Sequence, residues 1–133
     1  MRVTAVLCLA VLGVTLPLAA RASTETTLRI EMREFRFLPA TIRLTFGRPV
    51  TLRFVNSGQL AHQFDARYLR GLPIAVSDES TRVEAQGLDF LRLQPGGTAS
   101  LQFLPRRPGR FAFACTIEGH REAGMTGIIL IVR

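Results

Sequence analysis

The chain has 133 residues, 47% of them hydrophobic, which is enough for one small domain and too little for several. All 17 basic residues are arginine, set against 10 acidic ones, for a formal charge of +7. Apart from Arg106-Arg107 the arginines are scattered, which makes a nucleic-acid patch a poor reading; they read as solvated strand faces in an arginine-biased chain, with steering of an acidic protein partner as a weaker use.

The first element is a secretory leader over residues 1–22. Met1-Arg2 is a minimal positive start, residues 3–18 are nearly all apolar, and Ala20-Arg21-Ala22 offers a small-residue cleavage site before Ser23. The competing expectation is an uncleaved membrane anchor, because the apolar run almost reaches spanning length; Pro17 and the small residues after it favour cleavage. Cleavage removes Arg2 and Arg21 and leaves a domain at 23–133 with 111 residues and a charge of +5, exported to the periplasm. Cys115 is then its only cysteine, and a lone thiol in an oxidising compartment needs burial, a second chain or a metal.

Strict apolar alternation predicts strands buried on one face: Leu28-Ile30-Met32, Ile42-Leu44-Phe46, Val50-Leu52-Phe54, Ala99-Leu101-Phe103 and Phe111-Phe113-Cys115. Residues 127–132 are apolar or glycine throughout, as for a strand covered on both faces. Turn chemistry separates these runs at Pro39, Gly47-Arg48-Pro49, Asn56-Ser57-Gly58, Pro95-Gly96-Gly97 and residues 105–109. The sum is an all-β sandwich. Residues 66–94 are too long for a structureless connection and predict a short helix or an extra strand of no legible function.

Chemistry concentrates near the end. Cys115, His120 and Met125 fall within one short stretch, and His62, the only other histidine, follows the Asn56-Ser57-Gly58 turn. Cys115 ends an inward strand face; the chain then loops through Gly119 and Gly124 and re-enters a strand at Met125. Singly, these residues read as a core cysteine, a loop histidine and a core methionine. Together they form a thiolate, two imidazoles and a thioether, a donor set that suits a blue-copper electron-transfer site, because soft sulfur favours Cu(I) and imidazole serves both oxidation states.

These residues resemble the cupredoxin family over nearly all of 23–133. Residues 34–42, Gly47 and Val55-Asn56-Ser57-Gly58 before His62 are similar to the opening of bacterial cupredoxin domains. Residues 108–115, Gly119-His120 and Ala123-Gly124-Met125-Thr126-Gly127 are similar to the family's copper loop. The resemblance implies a Greek-key β-sandwich, with a longer insertion at 66–94, and one type 1 copper. It assigns His62, Cys115 and His120 as equatorial ligands and Met125 as the axial one. Two positions depart from the family pattern: Glu118 stands where proline often precedes Gly-His, and Gln63 where asparagine often follows the first histidine and ties the ligand loops together.

The expected function is one-electron transfer between transient protein partners by a monomer that is not an enzyme, with His120 as the electron conduit and Gly119, Ala123, Gly124 and Leu60 as a small apolar docking patch. The rival is a copper carrier or tolerance protein that sequesters or delivers the ion; the shortage of further Met or His residues leans against it. A copper enzyme lacks spare histidines for a second centre, and a metal-free structural module sits poorly with an intact ligand set.

Overall fold

A computed structural model describes residues 25–133, so the expected leader at 1–22 and the choice between cleavage and anchoring lie outside the described residues. Among the described residues no helix is long and apolar enough to cross a membrane. Eleven strands follow in chain order: β1 Thr26–Arg33, β2 Arg36–Leu38, β3 Thr41–Thr45, β4 Val50–Asn56, β5 His62–Phe64, β6 Pro73–Ser77, β7 Arg82–Gln86, β8 Leu91–Leu93, β9 Thr98–Phe103, β10 Gly109–Ala114 and β11 Thr126–Val132. A six-stranded sheet runs β2-β1-β4-β9-β6-β7, a three-stranded sheet runs β10-β11-β3, and β5 pairs with β8. This is the Greek-key sandwich that the alternation and the resemblance imply.

The alternating residues supply the core. Ile30, Met32, Leu52, Phe54 and Leu101 line the large sheet from within; Ile42, Phe113, Ile129 and Ile131 face them from the small one, all fully or almost fully buried. Each of the two larger sheets contains one parallel pairing: β1 with β4, where Ile30 meets Phe54, and β11 with β3, where Ile129 meets Ile42. Phe37, Phe54, Phe64 and Phe113 form a continuous aromatic cluster, with ring centroids 4.7 to 6.0 Å apart.

Three expectations need correction. Phe46 is 45% exposed, because β3 ends at Thr45 and the chain turns through Gly47, so the alternation no longer sets its direction. Phe111 is half-buried, packing beside Tyr68 at 4.4 Å between centroids. In β11 only one face is fully buried, at Ile129 and Ile131; Ile128, Leu130 and Val132 stay partly exposed.

The segment 66–94 holds both expected kinds of element: a 3-10 helix at Arg67–Gly71 and the strands β6, β7 and β8. Strand β6 extends the large sheet alongside β9, and β7 forms its exposed edge. Strand β8 returns to pair with β5, matching His62 with Leu93 and Phe64 with Leu91. The insertion thus clamps the strand that carries the first histidine.

Candidate metal centre

Each candidate donor is delivered by a different local device. His62 opens β5, after a loop that Asn56 organises. The buried Asn56 side chain donates to the carbonyls of Leu60 and Leu93, and its oxygen accepts from the Gly58 amide. Cys115 directly follows β10, and the Asp65–Ala114 bridge, with reciprocal 3.0 Å bonds, lays the β5 side against that strand end. The intervening loop is closed by its own backbone. The Cys115 amide donates to the Met125 carbonyl at 3.0 Å, and the Met125 amide to the His120 carbonyl at 2.9 Å. Gly119 and Gly124 take φ of +77° and +101°, values that side chains resist, and so permit the tight path.

The result is convergence. One donor atom from each of His62, Cys115 and His120 lies within 4.8 Å of the others, and all three residues are buried. The Cys115 sulfur sits 3.3 Å from His120 Nδ1 and accepts the Gln63 amide at 3.3 Å. The two imidazole centroids are 5.2 Å apart. Met125 is completely buried at the loop's end. Both His62 ring nitrogens are buried without a hydrogen-bond partner, a condition that costs about 1–3 kcal/mol unless something occupies them. A neutral imidazole offers one lone pair, and an unpartnered one beside a buried thiol fits a soft metal ion.

Around the donors, the two family departures resolve differently. Gln63 carries its amide far enough to donate to Thr116 Oγ1 at 2.5 Å, so the longer side chain makes the inter-loop tie itself; Arg92 Nε of β8 holds the other end of that amide at 3.0 Å. Glu118 is exposed on the loop. His120 is only 7% exposed, more covered than its loop position suggests, because Phe35 places a ring edge-on against it with centroids 5.3 Å apart. Phe35 was not legible as a site residue: it sits in a two-residue β1–β2 turn with a φ of +61°, a conformation glycine or asparagine usually marks.

Electrostatics follow burial. Desolvation, then the nearby His120, holds the His62 pKa below its ordinary 6.5, with Glu34 opposing more weakly. The folded chain therefore refuses a proton that the unfolded chain accepts. The stability this protects is complete above about 6.5 and falls as pH drops through that value toward the depressed one. Glu34, held low chiefly by the Gln59 amide, adds a loss of its own only as pH falls through 4.5. Denaturant midpoints of the metal-free protein should thus decline between about pH 7 and pH 5, and a flat profile there would contradict the assignment.

A family model described as a cupredoxin-like domain matches residues 5–129. The chain belongs to the cupredoxin-like family. This cupredoxin is 30% identical over 113 residues to the copper-resistant cuproprotein CopI of Rubrivivax gelatinosus, covering 83% of the present chain and 68% of CopI. Its fold superimposes on auracyanin A of Chloroflexus aurantiacus, a blue copper protein, with a TM-score of 0.58 and 19% identity over 82% of this chain and all of that one. A copper-containing nitrite reductase of Thermus scotoductus aligns with a TM-score of 0.64 at 14% identity, over 80% of this chain and 31% of the reductase. Such low identities establish the fold alone. Fold, family and donor chemistry agree on a site that suits one copper ion, set at His62, Cys115 and His120 with Met125 beside them.

Proposed function

We propose that this cupredoxin is an exported electron carrier that is not an enzyme and binds one copper ion through His62, Cys115, His120 and Met125. The observation that carries this reading is a buried donor set whose loop is held by backbone hydrogen bonds. Copper, when bound, supplies a one-electron Cu(I)/Cu(II) couple. The protein's part is to keep the geometry unchanged between the two states: the Cys115–Met125 and Met125–His120 backbone bonds and the Gln63–Thr116 tie resist movement of either ligand loop. Phe35, packed edge-on against His120, and Leu60, beside Glu34, are both exposed and supply apolar surface near the two imidazoles for brief redox encounters.

A second reading, a copper-tolerance protein that sequesters or delivers the ion, is favoured by the likeness to CopI. Against delivery, Met32 is fully buried in the core and not on the surface, and the donors are enclosed. Repeated reduction and reoxidation against a fixed amount of a competing Cu(I) chelator separates the two. An electron carrier keeps its copper through many cycles; a delivery protein loses it to the chelator within the first. Met125→Leu should retain copper while raising the midpoint potential by at least about 59 mV, the equivalent of tenfold in relative Cu(I) preference. An unmoved potential would remove Met125 from the ligand set.

A further inference from the structure

One two-residue turn, Glu34-Phe35 between β1 and β2, reaches both imidazoles. Phe35 packs on His120; Glu34 reaches toward His62, its Oε1 lying 3.7 Å from Nε2. That carboxylate oxygen is not free to wander, since it accepts the backbone amides of Gln59 at 2.5 Å and Leu60 at 3.1 Å. Gly58 keeps the space between them open. A Cβ there would collide with Glu34 Oε1 and stand 2.9 Å from His62 Nε2. Neither ring nitrogen has a hydrogen-bond partner, so Glu34 Oε1 is the polar group placed nearest to Nε2 while Nδ1, on the other side, is buried and free.

We propose that Glu34 is the outer partner of the His62 imidazole, holding the proton on Nε2 so that Nδ1 presents its lone pair to the metal. This rests on the copper reading above. The physical reason is general: an imidazole that donates its far N–H to a carboxylate is fixed in one tautomer and orientation and becomes a stronger donor. A stronger donor, with a negative charge behind it, favours Cu(II) over Cu(I) and lowers the potential. At 3.7 Å the anchored carboxylate oxygen stands just outside hydrogen-bonding distance of Nε2, and a small turn of the neutral His62 ring closes the gap. Glu34 is therefore a positioning residue, acting through His62.

Glu34→Gln is the sharpest probe, because the amide oxygen still accepts from Gln59 and Leu60 while the charge is lost. In the copper-loaded protein its visible thiolate band should persist. Its ratio of Cu(II) to Cu(I) affinity should fall about tenfold, raising the midpoint by about 59 mV at constant pH. Glu34→Ala removes the acceptor as well and should add a second change: long-range proton–nitrogen NMR of the Cu(I)-loaded and metal-free protein, at one fixed alkaline pH, should show His62 as the Nε2–H tautomer in the unsubstituted chain and a mixture in the metal-free variant. An unmoved potential in E34Q with copper bound normally, or an Nδ1–H tautomer in the unsubstituted metal-free chain, would overturn the role of Glu34 and leave the copper site standing. Failure of the unsubstituted protein to bind copper would overturn the copper reading and the potential effect with it.

Discussion

Cys115→Ser should abolish the intense visible absorption of the copper-loaded protein and weaken Cu(I) binding more than any other single substitution at the site. The sulfur is fully buried, 3.3 Å from His120 Nδ1, and is the sole thiol among the described residues. A serine hydroxyl is nearly the same shape, so the fold should survive. It is a hard, protonated oxygen at neutral pH, and it offers neither the charge-transfer partner nor the soft donor that Cu(I) prefers. The Gln63 amide would still find an acceptor there, which keeps the inter-loop packing intact. Absorption spectra and competition with a Cu(I) chelator check both parts. A Cys115→Ser protein that kept its colour would contradict the assignment of the thiolate.

Phe64→Ala should destabilise the fold by about 3–5 kcal/mol, the range for emptying a buried aromatic site. Phe64 has no exposed surface and contacts Phe37, Phe54 and Phe113, so its removal opens a cavity bounded on three sides by rings already interlocked. It also sits two residues from His62 on β5, paired to Leu91 of β8. The strand that fixes the first imidazole would lose its anchor, and copper affinity should fall with stability. Urea denaturation of metal-free and copper-loaded protein measures the two losses separately; a cost below about 1 kcal/mol would show that this cluster does not secure the ligand strand.

Part of the site is legible in the chain itself. Cys115, His120 and Met125 lie on one loop whose glycines and strand flanks dictate a return path, so their convergence follows from local chemistry. His62 was legible by scarcity, being one of only two histidines. What surrounds them was not. The Gln63–Thr116 tie depends on whether one extra methylene fits between two loops. Glu34 and Phe35 reach the imidazoles only because the β1–β2 register and a +61° φ at Phe35 aim that turn at the site. Residues 34–42 carry part of the family resemblance, but nothing in it assigns Glu34 or Phe35 to the site. Residues 66–94 are too long to be structureless, yet the pairing of Leu91–Leu93 with the His62 strand is a tertiary choice that no periodicity encodes.

The most direct test of the copper centre is titration of the metal-free protein with Cu(II), followed by visible absorption. One thiolate-to-copper band should grow in proportion to added metal, stop at one equivalent per chain, and vanish reversibly on reduction without release of the ion. No band, or one that neither saturates at a single equivalent nor returns on reoxidation, would contradict the account.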